Sequence, residues 1–178
     1  RLDPQDLHYS MEVMDVLARS DMSCPLPVQA RDGSILQQLA GRPAAVFSFL
    51  DGTWSRYPNR EKCAALGRTL ASLHLKAAPV TRLRENALGP AGWRPLLDSI
   101  GDDADILRAG MGETIRTRLD SILVDWPEAL PRGVIHADLF PNNVLFIGDE
   151  LTGVIDFYFA CNDILAYDLG ICLNSWCF

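Results

Sequence analysis

The chain has 178 residues, 48% hydrophobic and 22% charged, with a formal net charge of −7. That is apolar enough for one packed domain or one and a half and too apolar for a disordered segment. An acidic surface repels phosphate backbones and anionic lipid, so neither nucleic acid nor membrane is expected as a partner, and no apolar run reaches the length of a membrane span. Cys24, Cys63, Cys161, Cys172 and Cys177 are odd in number and contain no C-x-x-C pair, which predicts reduced thiols in a cytoplasmic protein.

In chain order, Asp3 as N-cap, Pro4 at the first helical position and the stripe Leu7, Met11, Met14, Leu17 predict an amphipathic helix over 2–19, with Glu12 and Asp15 on its solvated face. The prolines of 24–28 make an extended connector. Residues 35–39 and 44–50 read as an antiparallel strand pair around turns at 31–33 and 40–43, the second strand strongly apolar and buried. Leu50-Asp51-Gly52 is the best domain boundary. Asn59 caps a helix with Cys63, Leu66, Leu70, Leu73 and Ala77 on one face, in which Gly67 is expected to admit a neighbouring backbone and His74 to be a packed histidine. After an irregular link over 79–92, helices are expected over 93–100 and 105–126, the latter with Ile106, Met111, Ile115, Leu119 and Ile122 inward. Residues 127–133 break it. A last helix begins at 162.

The central stretch is 134–156. His136, Asp138 and Asn143 stand as H-x-D-x-x-x-x-N, followed by a predicted hairpin (144–147 and 151–155, turning at 148–150) and then Asp156. This spacing matches the catalytic loop and metal aspartate of kinases. A phosphoryl donor arrives as a magnesium complex, so the chemistry needs two hard oxygen ligands, here Asn143 and Asp156, and one carboxylate facing the acceptor hydroxyl, here Asp138. His136 is read as a brace of the loop. Each residue alone has a plainer reading as turn, cap or core polar group; the joint spacing between apolar strands carries the assignment. No glycine-rich phosphate loop is visible.

With LGRTLASLH upstream, the segment VIHADLFPNNVLF resembles the small-molecule kinases of the aminoglycoside and choline phosphotransferase superfamily. SCPLPV, FLDG and LTGVIDFYFACNDILAYDLGICLNSWCF are similar, more specifically, to its bacterial homoserine kinases. The resemblance implies an α+β, protein-kinase-like fold: 1–50 as the remainder of a nucleotide-binding small lobe and hinge, and 51–178 as most of a mainly helical catalytic lobe carrying the β-hairpin metal site. It implies ATP as co-substrate with Mg2+, L-homoserine as acceptor, the backbone of Phe47, Ser48, Phe49 and Leu50 at the adenine edge, and Asp168 as the aspartate that fixes the catalytic loop. A zwitterionic acceptor needs a contact for its ammonium, for which Asn162 and Asp163 are candidates, although Asp163 also suits a helix cap. Asp156 is followed by Phe-Tyr instead of Phe-Gly, and Asn142 stands where homoserine kinases commonly have Asp. Two alternatives stay open. A kinase for choline, an aminoglycoside or another amino alcohol would use the aromatics Phe157, Tyr158 and Phe159; a non-catalytic module of the same fold would need none of these roles. Family members carry further strands, with the donor-gripping lysine, before the first helix, and further helices after the last, so this chain is expected to be a fragment, inactive by itself.

Overall fold

The computed structural model describes residues 4–127 and 129–178. Helix α1 (Pro4–Arg19) buries Met11, Met14 and Leu17 as its stripe requires; the expected cap Asp3 lies outside the described residues. Glu12 is not simply solvated, because its carboxylate accepts from Thr81 N (2.8 Å) and Thr81 Oγ1 (2.9 Å) and pairs with Arg82 (3.0 Å).

The first hairpin departs from expectation. β1 (Gln37–Leu39) pairs with β2 (Arg42–Ala44) across a two-residue turn at Ala40 and Gly41, both at positive φ. Residues 45–50 are therefore no partner of 35–39. They run extended against the proline connector instead, Val28 N donating to Val46 O and Ser48 N to Leu26 O, each at 2.8 Å. The expected burial fails too: Val46 is 67% and Phe49 87% exposed.

α2 (Arg60–Lys76) starts at Asn59, whose side chain accepts from Lys62 N, and buries Leu66, Leu70 and Leu73. A Cβ on Gly67 would meet nothing within 4 Å, so no backbone approaches there and that expectation is corrected. α3 (Pro90–Ile100) begins three residues before its expected start. The helix expected over 105–126 is broken into α4 (Ala104–Leu107) and α5 (Met111–Val124). Gly110 at φ 75 turns the chain between them, and the Asp105 carboxylate takes Gly112 N at 2.9 Å, leaving Ile106 79% exposed.

β3 (Arg132–Ile135) pairs antiparallel with β6 (Cys161–Ile164), and β4 (Val144–Ile147) with β5 (Glu150–Val154), the second pair turning at Gly148 (φ 61) as expected. Residues 162–164 are thus strand, and the final helix, α6 (Leu165–Trp176), begins three residues later than expected. α1, α2, the β4–β5 hairpin, β3 and α6 share one hydrophobic core, in which Val13, Leu17, Leu73, Val144 and Val154 are sealed from solvent. The loop between β3 and β4 and the turn after β5 emerge from this core side by side.

Candidate active site

β3 carries the chain into the loop at His136, and the loop is held from behind by a residue of α6. Asp168 has no solvent exposure. Its Oδ2 accepts from His136 N and its Oδ1 from Ala137 N, both at 2.9 Å, and His74 Nε2 of α2 lies 3.1 Å from Oδ2. Drawing two successive N–H groups onto one carboxylate accompanies Ala137 at φ 63. A left-handed alanine costs about 1–2 kcal/mol and persists only where its surroundings over-determine it. The residue after this bend is Asp138.

The His136 side chain is also fully buried. Asp138 N donates to Nδ1 (3.3 Å), so Nε2 carries the proton that goes to Ile155 O (3.0 Å). Burial holds its pKa below the ordinary histidine value, in keeping with this neutral tautomer. With both nitrogens engaged and its ring 4.7 Å from that of Phe157, His136 joins loop, hairpin end and following turn.

Asn143, 3% exposed, ends a one-turn 3₁₀ helix at Pro141–Asn143. Its Nδ2 donates to both Asp138 Oδ2 (2.8 Å) and Asp138 O (2.7 Å), which fixes the carboxylate and leaves Asp138 Oδ1 without a hydrogen-bond partner among the described residues. Burial pushes the Asp138 pKa up; the Asn143 hydrogen bond opposes this and the neighbouring Asp156 adds to it. Ile155 N donates to Asn143 O (3.0 Å), so the backbones of Asn143 and of the residue before Asp156 are joined. Asp156 is exposed and left-handed (φ 64, ψ 60) at the start of a 3₁₀ turn, Phe157–Phe159. Among the described residues the Asn143 amide oxygen accepts only a long hydrogen bond from Asn142 Nδ2, at 3.3 Å. These two hard oxygen donors on adjoining backbone fit a magnesium ion that takes its remaining ligands from water and a polyphosphate. Among the described residues no group of three or more His, Cys, Asp or Glu forms a self-sufficient metal cage.

Beside Asp156 opens a cleft of about 170 Å³ lined by Ser10, Met14, Pro25, Phe47, Ser48, Phe157 and Tyr158. Val46 O and Ser48 N bond the connector on either side of the Pro27–Phe47 bridge, so the backbone groups of Phe47 itself face the other way. Leu50 packs over Gly153, where an added Cβ would lie 2.5 Å from Leu50 Cδ1.

Asn162 and Asp163 are spent elsewhere. Asn162 Oδ1 accepts from Tyr9 OH and Arg84 N, both at 3.0 Å. Asp163 is 3% exposed and takes Asn86 Nδ2 (2.8 Å), Ile164 N (2.7 Å) and Arg132 (3.2 Å), so its carboxylate is not open to an ammonium group. The three aromatics after Asp156 do not form a cage either, since Phe157 is buried against His136 while Tyr158 and Phe159 face solvent. Two residues escaped sequence reasoning: His74, whose helical spacing announced burial but not its partner, and Arg84, in a link with no periodicity to read.

The Phosphotransferase enzyme family profile matches residues 1–178. The homoserine kinases of Afipia carboxidovorans and Acidiphilium cryptum are 52% and 51% identical over all 178 residues, which correspond to 55% and 56% of their lengths. The chain thus spans about half the length of the curated relatives it matches. An amicoumacin kinase solved with AMP-PNP, Ca2+ and Ami superposes with TM-score 0.78 at 16% identity, over 97% of this chain and 54% of that one. An aminoglycoside-3'-phosphotransferase of type VIII gives 0.67 at 23%, over 96% and 64%. The chain belongs to the phosphotransferase enzyme family and has its α+β, protein-kinase-like fold.

Proposed function

We propose that this chain is the catalytic part of an enzyme that transfers the γ-phosphoryl group of ATP to the hydroxyl of L-homoserine, giving O-phospho-L-homoserine for threonine biosynthesis. The observation that carries the reaction type is the Asp138–Asn143 pair, held at 2.8 Å beneath a strained bend that Asp168 locks in place. The acceptor is drawn from the relatives, homoserine kinases about half identical over the whole chain.

In this reading Asp138 Oδ1 accepts the homoserine hydroxyl and takes its proton late, since a loose phosphoryl-transfer transition state needs alignment and charge neutralisation more than a strong base. Asn143 and Asp156 hold Mg2+, which when bound neutralises the donor phosphates. The outward backbone groups of Phe47, with Ser48, Phe49 and Leu50 completing the segment, meet the adenine edge. His136 and Asp168 keep the loop in its working shape. Residues 1–50 then belong to the nucleotide-binding small lobe and 51–178 to the catalytic lobe. The five free cysteines accord with a cytoplasmic setting.

The test is a coupled ADP-release assay of the full-length gene product containing this chain, with Mg2+, against L-homoserine, choline, ethanolamine and an aminoglycoside. Homoserine should give the highest kcat/KM. A preference for choline or the aminoglycoside would move the enzyme to another branch of the family, and ADP release from none of the four would leave a non-catalytic module.

A further inference from the structure

We propose that Arg84 is a positioning residue for the metal carboxylate Asp156, clamping the turn that follows it to helix α1; this rests on the reading of Asp156 as a magnesium ligand. Asp156 leaves β5 in a left-handed conformation, and the 3₁₀ turn behind it is a single turn closed by Ala160 N to Phe157 O (3.0 Å). Such a turn holds few of its own carbonyls. Arg84 supplies the missing donors, its Nη1 reaching Tyr158 O (2.6 Å) and Ala160 O (2.9 Å). Its Nε pairs with Asp6 of α1 at 2.9 Å, and the side chain is 17% exposed.

The arginine is itself held in place. Arg84 N donates to Asn162 Oδ1 (3.0 Å), Asn162 N donates back to Arg84 O (2.7 Å), and the same Oδ1 takes Tyr9 OH of α1 (3.0 Å). A planar guanidinium with fixed forks suits the task of joining two carbonyls to a carboxylate, which the point charge of lysine does less well. Phe157 against His136 secures the inner side of the turn and Arg84 the outer side. Without the outer clamp the turn is free to rotate at Asp156, where the left-handed backbone already stores strain. Groups that orient a ligand from behind typically cost about 10- to 100-fold in metal affinity when removed.

The matched control lies two residues away. Arg82 pairs with Glu12 of α1 at 3.0 Å and, among the described residues, makes no hydrogen bond or ion pair with the 157–160 turn. Arg82→Ala thus removes the same charge from the same link between the same segments. In the full-length gene product, Mg2+ is titrated against binding of AMP-PNP, followed by calorimetry, for wild type, Arg84→Met, Arg84→Lys and Arg82→Ala, with Tm recorded for each. The expected result is a half-saturating Mg2+ concentration raised about tenfold or more in Arg84→Met, partly restored in Arg84→Lys and unchanged in Arg82→Ala. Homoserine-dependent kcat at saturating Mg2+ should fall far less than the Mg2+ affinity. An unchanged midpoint in Arg84→Met, or an equal shift in Arg82→Ala, overturns the proposal. Should Arg84→Met fail to fold, Arg84→Lys decides: a raised midpoint supports the clamp and a wild-type midpoint overturns it. Nucleotide binding is read without turnover, so a wrong acceptor assignment would appear in the activity assay alone.

Discussion

Replacing Asp168 by alanine should cost stability and turnover together, by an amount that follows from its three contacts. The carboxylate is sealed from solvent and accepts from His136 N, Ala137 N and His74 Nε2. Its removal leaves two backbone N–H groups unpaired, that of buried His136 and that of half-buried Ala137, at about 1–3 kcal/mol each. Together these come to about 2–6 kcal/mol, and relaxation of Ala137 from φ 63 returns about 1–2 kcal/mol of strain, so the net loss at mid-range is about 2–3 kcal/mol. For a chain of this size that lowers Tm by roughly 4–12 °C. Asp168→Asn should fall between wild type and Asp168→Ala, because the amide oxygen keeps one N–H while its NH2 faces the other donor. The same relaxation moves Asp138, the next residue, so kcat should drop more than the KM for ATP rises. Thermal denaturation followed by circular dichroism, with steady-state kinetics on the full-length gene product, reads both effects. A wild-type Tm with full activity in Asp168→Ala would refute the brace, and an Asn variant less stable than the Ala variant would refute the accounting of its bonds.

Asp138→Asn should lower kcat by at least about 10²- to 10⁴-fold with AMP-PNP binding retained, measured by coupled assay and calorimetry. Because the folded-state pKa of Asp138 is raised above its ordinary value of 3.8, the native state holds more protons than the unfolded one between those two values, and stability falls as pH rises through that window. The same Asn variant should therefore be more stable than wild type at about pH 7 and show no such gain at about pH 3; a gain of equal size at both would contradict the assigned cause. Asn143→Ala should weaken Mg2+-dependent nucleotide binding and also lower kcat, since Asn143 holds Asp138 by two hydrogen bonds; a binding defect with wild-type kcat would separate the two roles. Gly52→Ala should destabilise by about 1–3 kcal/mol, because Gly52 sits at φ 131 with Thr152 Oγ1 2.5 Å from its would-be Cβ, whereas Gly67→Ala, in open helix surface, should stabilise by about 0.5–1 kcal/mol. Urea denaturation compares the pair.

What could be read from the sequence was what is local. The spacing from His136 to Asn143, the hairpin after it and Asp156 at its end lie within one short stretch of chain, and the structure joins them through bonds such as Ile155 N to Asn143 O. The first and second helices announced themselves by stripe and cap. What went unread depends on distant partners. Apolar 44–50 suited a buried strand, but beyond Ala44 its partner is the proline connector, and alternation shows that a segment is extended without showing what it pairs with. β6 is four residues long and exists through its pairing with β3, so it was absorbed into the helix that follows it. The helix expected over 105–126 kept its period across Gly110, and the break comes from the left-handed turn at Gly110 together with the capture of Gly112 N by Asp105. His74 and Arg84 meet their partners 94 and 76 residues away, a separation at which neither spacing nor residue type carries a signal.

The central claim is that Asp138, Asn143 and Asp156 form a site that phosphorylates the homoserine hydroxyl. Phosphorus NMR of the products formed by the full-length gene product from ATP, Mg2+ and L-homoserine tests it most directly. The account predicts a phosphomonoester resonance split by the methylene protons of the esterified carbon, growing in step with ADP and absent with Asp138→Asn. ADP accompanied only by inorganic phosphate, or the ester formed undiminished by Asp138→Asn, would contradict it.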